Sequence, residues 1–383
     1  MSQEVPPKHP VLCVAGARPN FVKIAPIMRA LAASPRLAPI LVHTGQHYDD
    51  RLSRVFFDEL AIPRPDVSLE VGSGTHAEQT AEIMRRFEPV LERTQARAVV
   101  VVGDVNSTLA CALVASKHLL AAPFDCAIES GRRRPLVVHV EAGLRSRDDD
   151  MPEEINRRLT DSLADLLFVT EPSGVDNLAR EGVPADRVHL VGNVMIDTLL
   201  AARERAMQSD VLARLGLAEG GYGLVTLHRP SNVDDPAQLQ RLLAVLDEVA
   251  RRVPLCFPVH PRTRARLAAA RIPLPDDRWV VSEPVGYLDF LRLTASARLV
   301  LTDSGGVQEE TTILGVRCLT LRDNTERPVT IDEGSNILAG TDRQTIWPAF
   351  ERAMAEPVPA RQPALWDGRA AARIADELAR VLP

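Results

Sequence analysis

Leu299-Val300-Leu301-Thr302-Asp303-Ser304-Gly305-Gly306-Val307-Gln308-Glu309-Glu310 passes from an apolar run to two glycines and then to a polar helical start. Short apolar runs bounded by Gly and Pro read as buried parallel strands. Here a strand ends at Thr302, the glycines permit close backbone approach, and a helix opens at Gln308 to Leu314. The free N–H groups and dipole of such a helix start suit a phosphate. The stretch alone also reads as a tight turn capped by Asp303 or Ser304.

Five more runs end the same way. Leu12-Cys13-Val14-Ala15 meets Gly16-Ala17-Arg18-Pro19, and Val99 to Val102 meets Gly103-Asp104. Leu136-Val137-Val138 meets His139-Val140-Glu141-Ala142-Gly143, and Leu224 to Leu227 meets His228-Arg229. Leu255 to Val259 meets His260. Strand signals alternate with helical ones, the mark of βαβ units on a parallel sheet. In open α/β sheets ligands bind outside the carboxyl ends of the strands, so the pattern locates a site as well as a fold.

A chain of 383 residues is too long for one core, so two domains are expected. The boundary falls near Gly192 to Asp197, giving domains over 9–195 and 196–363. A terminal helix within 364–383 is expected to pack back on the first domain. Helical spacing marks Pro26 to Leu31, Glu82 to Leu91 and Pro236 to Val249. It also marks Glu154 to Leu167, where Ile155, Leu159, Leu163 and Leu166 or Leu167 face one side. The stretch Ala121 to Pro135, with Arg132-Arg133-Arg134, reads as a solvated surface loop.

The net charge of -6 and the 4% aromatic content argue against a nucleic-acid partner. No apolar stretch is long enough to cross a bilayer. The five cysteines form no C-x-x-C pair and no zinc-spaced cluster with histidine, as expected of free thiols in a cytoplasmic protein without a metal site. There is no P-loop, and Gly16-Ala17-Arg18-Pro19 is not the dinucleotide fingerprint. No nicotinamide cofactor is expected.

Asp104 and Glu141 end strands that read as neighbours, and Glu153 opens a helix after Pro152. Carboxylates converging on one cleft raise one another's pKa, as proton transfer requires. Glu153 taken singly also reads as a charge complementing a helix start. Asn156, Arg157 and Arg158 share its helix and are placed to pair with these acids. Arg18 and Lys23 flank the first strand–helix turn, as pyrophosphate ligands or as surface charge. His228 and His260 end two strands of the second half, where an imidazolium would neutralise a departing diphosphate. Glu310 stands one to two turns into its helix, within reach of ribose hydroxyls.

Taken in order, these motifs resemble the non-hydrolysing UDP-N-acetylglucosamine 2-epimerase family. The matching stretches include Gly16 to Pro19 with Lys23 to Pro26, Thr44-Gly45-Gln46-His47, Gly103-Asp104, and His139 to Arg145. They continue through Pro152-Glu153-Glu154 with Asn156-Arg157, Gly192-Asn193, His228-Arg229, Pro258-Val259-His260, Asp303 to Glu310, and Arg322-Asp323 with Thr325 to Pro328. The resemblance implies a GT-B-like fold, two Rossmann-like domains facing a central cleft, the second binding UDP. It implies reversible conversion of UDP-GlcNAc to UDP-ManNAc through loss of UDP, a 2-acetamidoglucal intermediate and re-addition of UDP. It carries Asp104, Glu141, Glu153 and His228 over as catalytic. Arg18, Lys23, Arg145, His260, Ser304, Gly305, Gly306, Glu310 and Arg327 carry over as substrate-binding. A homodimer, no cofactor and no membrane partner are implied as well.

The chain departs from the family pattern in places. Asn20 stands where many members carry Glu, and Pro230 follows His228-Arg229. Some bacterial members have a second, activating UDP-GlcNAc site. Gln46 and His260 match parts of it, whereas Asp49 replaces a second Gln and Ser73 the expected Arg. Weak or absent substrate activation is therefore expected. The same departures admit a modified sugar, such as a UDP-diacetamido-glucuronic acid. Other relatives of the pattern are a hydrolysing 2-epimerase, a GT-B glycosyltransferase and a UDP-sugar sensor. The three carboxylates together favour elimination chemistry over transfer or sensing.

Overall fold

The computed structural model describes residues 8–45, 59–60, 62–273, 278–359 and 361–382, without the Arg18 side chain. Two compact units emerge, Met1–Thr198 with Ala364–Pro383, and Leu199–Pro363. In the first, seven strands are β1 (His9–Ala15), β2 (Leu37–His43), β3 (Val67–Ser68), β4 (Ala98–Val102), β5 (Leu136–Ala142), β6 (Leu166–Val169) and β7 (Val188–Leu190). They lie in the order β3-β2-β1-β4-β5-β6-β7, and the pairings are parallel.

The second unit has β8 (Gly223–Thr226), β9 (Leu255–Pro258), β10 (Trp279–Ser282), β11 (Leu299–Thr302), β12 (Arg317–Thr320) and β13 (Asn336–Leu338). Their order is β10-β9-β8-β11-β12-β13, again parallel. Each unit is Rossmann-like, the two-domain α/β class expected. Strand order reverses between β1 and β4 in the first sheet and between β8 and β11 in the second. Such switch points open a crevice at the strand carboxyl ends, and the expected site residues cluster at both.

Burial explains the sheets. All five residues of β4 are buried, as are Val11 to Ala15 of β1. Leu12, Val14, Val99 and Val101 pack in one core with Ile83, Phe87 and Leu91 of helix His76–Thr94. Each fully buried aliphatic side chain contributes roughly 1.5–3 kcal/mol. In the second unit, Val225, Leu301 and Leu319 join Leu242, Leu246 and Val249 of helix Pro236–Ala250.

The helix starts are written locally. Pro152, Pro172, Pro230, Pro236 and Pro261 each stand at a first helical position, where a missing N–H costs nothing. Thr75 and Glu78 form a capping box ahead of His76–Thr94.

Two sequence expectations are corrected. The apolar spacing over Glu154 to Leu167 does not mark one helix with a buried apolar face. The helix is Pro152–Leu163, and Leu166 begins β6. Ile155 and Leu159 are each 48% exposed, while Glu154, Arg157, Thr160 and Asp161 are buried. The charged side chains go inside because each meets a charged or backbone partner: Glu154 meets Arg157 and the Ser146 and Arg147 N–H groups, Arg157 meets Asp104, and Asp161 meets His139 and Arg145. Arg132 is likewise not solvated: it bonds Asp165 at 2.7 Å, in a loop closed by the Phe124–Arg132 bridge.

The last segment is part of the first unit. Helix Ala370–Val381 packs on helix Arg18–Ala33. Asp197 accepts from the N–H groups of Ala370 and Ala371, and Trp366 Nε1 donates to the Thr170 carbonyl at 3.0 Å. Among the described residues no helix is long and apolar enough to cross a membrane.

Candidate active site

The first switch point is organised by Asn20. Its Oδ1 accepts from the N–H groups of Gly16 and Ala17 at 3.1 and 2.9 Å, and its Nδ2 donates to the Val102 carbonyl. One amide thus fastens the turn after β1 to the end of β4. It also occupies two N–H groups that an anion would otherwise meet. A Cβ on Gly16 would fall 2.2 Å from Ser107 Oγ, so the turn needs glycine there.

Lys23 projects from the same helix and forms an ion pair with Glu141 at the end of β5, both groups buried. Glu141 has φ +69°, and the β5–β6 register shifts between Val140 and Ala142. Left-handed backbone at a non-glycine residue costs about 1–3 kcal/mol and marks sites held by their surroundings. The bulge turns Glu141 toward the β4 end: a Cβ on Gly103 would lie 3.4 Å from its Oε2 and 2.9 Å from Lys23 Nζ.

Asp104 follows Gly103 and is half-buried. Arg157 donates to its carboxylate at 2.5 Å, and Asn156 Nδ2 to its carbonyl at 2.9 Å. Arg157 also bonds Glu154, which accepts from the N–H groups of Ser146 and Arg147. Burial works against the Glu154 carboxylate, but these donors outweigh it and hold the group below its ordinary pKa. Glu153, by contrast, lies exposed in the first turn of the helix. Arg158 pairs with Asp149 on the surface.

Beneath these groups His139 bridges Asp161 and the Gly103 carbonyl, and Arg145 pairs with Asp161 and Glu181. Lys23 and Arg145 are therefore already bound to carboxylates.

The second switch point turns on Asp303. Its fully buried carboxylate accepts from the N–H groups of His228 and Arg229, from Asn232 Nδ2 and from His228 Nδ1 at 2.9 Å. Burial alone would raise its pKa, but the His228 ring and these N–H groups together lower it. Asp303 thus holds the β8 end, and Ser304 takes the N-cap position of helix Gly305–Leu314 without a side-chain cap bond. His228 is half-buried, its ring centroid 5.6 Å from that of the exposed His260, whose Nδ1 accepts from Arg262 N.

Arg327 lies under the glycines. A Cβ on Gly305 would fall 2.7 Å from Arg327 NH1, and Arg327 pairs with buried Glu309 at 2.6 Å. Arg229 and Arg322 both bond Glu326. Ser304 and Gly306 remain partly exposed at the helix start. Glu310 is buried beside Tyr287; burial pushes its carboxyl up to about 7, with Glu309 adding and Tyr287 opposing.

The structure thus gathers Lys23, Asp104, Glu141 and Arg145 in the first unit. In the second it gathers His228, His260, Ser304, Gly305, Gly306, Glu310 and Arg327. Gln46, Asp49 and the Arg18 side chain lie outside the described residues, and Ser73 is exposed. His139, Glu154 and Asp161 are contributors to which the residue-by-residue reading gives no role, and Asn20 enters there only as a departure from the family pattern. The clue for Asp161 was faint, one acidic residue in a helix whose apolar spacing pointed elsewhere.

The comparisons bear on the whole chain. A UDP-N-acetylglucosamine 2-epimerase family profile matches residues 29–379. A UDP-N-acetylglucosamine 2-epimerase of Methanocaldococcus jannaschii is 40% identical over 346 residues, covering 88% of this chain and 90% of that protein. A UDP-2,3-diacetamido-2,3-dideoxy-D-glucuronate 2-epimerase of Pseudomonas aeruginosa is 39% identical over 374 residues, covering 97% and 99%. The crystal structure of the M. jannaschii UDP-GlcNAc 2-epimerase in complex with UDP-GlcNAc and UDP superposes with a TM-score of 0.87. That match has 38% identity and covers 97% of this chain and 99% of that one. With the motifs in order and both switch points built from them, the chain belongs to the UDP-N-acetylglucosamine 2-epimerase family.

Proposed function

We propose that the protein interconverts UDP-GlcNAc and UDP-ManNAc by eliminating UDP across C1–C2 and adding it back. The observation that carries this is the pair Asp104 and Glu141, ending neighbouring strands and each held by a buried cation, Arg157 and Lys23. The C2 proton is not next to a carbonyl, so it is lost together with the diphosphate. One carboxylate takes that proton as the C1–O bond breaks and UDP departs. The 2-acetamidoglucal then receives a proton at C2 on the opposite face, and a diphosphate oxygen re-forms the bond to C1. A reaction that removes a proton from one face and returns one to the other calls for two such groups.

UDP is held, in this reading, by the Ser304–Gly306 helix start, with Glu310 for the ribose. His228 and Arg18 stabilise the diphosphate as charge develops on it. Glu153, His260, Arg145 and Arg327 complete the set, the last two by positioning. A homodimer belongs to the proposal. The exposed pair Ile155 and Leu159, one turn apart on Pro152–Leu163, supports burial of that face against a second copy. A cytoplasmic setting also belongs to it, supported by the free buried thiols of Cys13, Cys111, Cys256 and Cys318.

The P. aeruginosa relative favours a second reading, the same chemistry on a UDP-diacetamido-glucuronic acid. Proton NMR in D2O with each UDP-sugar separates the two. A UDP-ManNAc anomeric signal with deuterium entering C2 supports the first. Turnover of the diacetamido sugar alone supports the second, and free ManNAc with UDP would mean hydrolysis instead.

A further inference from the structure

His139 is fully buried on β5, two residues before Glu141. Its Nδ1 lies 2.6 Å from Asp161 Oδ1 and its Nε2 lies 2.9 Å from the Gly103 carbonyl oxygen. The carbonyl can only accept. Asp161 is an ionised acceptor too: burial works against its charge, but His139 and Arg145 outweigh that and lower its pKa. The Gly143 N–H also donates to that carboxylate. Both ring nitrogens therefore donate. A neutral imidazole has one N–H, so a ring between two acceptors is the doubly protonated cation. The groups facing it are Asp161 from helix Pro152–Leu163, Arg145 from beyond β5 through that carboxylate, and the Gly103 peptide from beyond β4.

That ring holds the residue from which Asp104 continues. Gly103 has φ +68°; its N–H donates to the Val140 carbonyl and its own carbonyl accepts from His139. Both of its polar groups are thus tied to β5, the strand that ends in Glu141. Asp104 is held from its other side by Asn156 and Arg157. The spacing between the two carboxylates is set through this peptide.

We propose that His139 is a positioning residue that bridges Asp161 and the Gly103 carbonyl through its two ring nitrogens and so fixes Asp104 against Glu141 for the two proton transfers at C2. This rests on the epimerase reading above.

The test is long-range proton–nitrogen NMR of the full chain labelled with 15N-histidine, between about pH 6 and pH 9. His139→Gln and His139→Asn serve to identify the ring signals. Two acceptors facing the ring predict an N–H on each ring nitrogen of His139. An unprotonated ring nitrogen at about pH 8 overturns the proposal, and this readout on the unmutated protein requires no variant to fold. Kinetics supply the second arm. His139→Gln should lower kcat on the order of a hundredfold, the cost of misplacing a reacting group. KM and UDP affinity should stay within about threefold. Unchanged kcat, or a matching loss of UDP affinity, overturns the positioning role. If the unmutated protein turns over no UDP-HexNAc, the epimerase reading has failed, and the ring spectrum separately reports the charge.

Discussion

Lys23 and Glu141 form a buried ion pair that joins the first helix to the end of β5 across 118 positions of sequence. Breaking a buried pair from one side leaves a charge without its partner and costs about 3–5 kcal/mol. Lys23→Met is expected to lower stability by that order. Lys23→Met with Glu141→Gln should lose less than the two single changes added together. Calorimetric unfolding of the four proteins checks this, and simple additivity would show that the pair is not coupled.

Asp104→Asn and Glu141→Gln keep the size and shape of the two carboxyls but not their proton chemistry. Each is expected to bind UDP normally and to lose epimerisation by at least about a hundredfold. Titration calorimetry with UDP and NMR turnover measure the two quantities separately. Near-normal turnover in both variants would remove these residues from the reaction.

Stability should depend on pH through Glu310. Its pKa rises on folding, from an ordinary value of 4.5 to about 7, because it is buried. A raised carboxyl favours the folded state while it stays protonated. That contribution is complete below about pH 4.5 and is lost as pH climbs through about 7, a swing of up to about 3 kcal/mol. Glu310→Gln lacks it. The variant should therefore gain on the parent between about pH 5 and pH 8 in denaturant midpoints. Asp161 and Asp303 have lowered pKa values, so their contribution is lost only in stronger acid, as pH falls below the ordinary 3.8. A constant difference between parent and variant would show that Glu310 is not raised.

The family resemblance puts Ser73 and Asp49 where some bacterial members carry residues of an activating site, an expectation that kinetics can test. The rate is expected to follow UDP-GlcNAc hyperbolically, with UDP-ManNAc alone converted at once. Sigmoidal kinetics, or a lag relieved by added UDP-GlcNAc, would reverse that expectation.

The exposed pair on helix Pro152–Leu163 gives a test of assembly. Ile155→Glu with Leu159→Glu removes apolar area from an exposed face of that helix. Sedimentation should show a dimer for the parent and a monomer for the variant. An unchanged dimer would place the interface elsewhere.

The six apolar runs were legible as strands because parallel strands are buried on both faces and need no polar alternation. Strands as short as Val67–Ser68 or Asn336–Leu338 carry too few residues for any period to show. Helix Pro152–Leu163 misled for a physical reason. Apolar spacing at Ile155 and Leu159 normally means a core face, but here the inward face is ionic. Its partners, Asp104, His139 and Arg145, come from distant segments that no local pattern can supply. Asn20 looked like a departure from the family pattern, and its two accepted N–H bonds show it to be the fastening of the first turn.

The first unit is assembled from two stretches of chain. Gly192, at φ +89°, leaves only 2.0 Å between an added Cβ and the Leu365 carbonyl oxygen, and Asp197 caps the helix that begins at Ala370. Leu199–Pro363 is, in effect, an insertion within its neighbour. During synthesis on the ribosome that inserted unit has all its residues first. The earlier-made sheet must wait, one helix short, until Trp366 and the residues after it emerge.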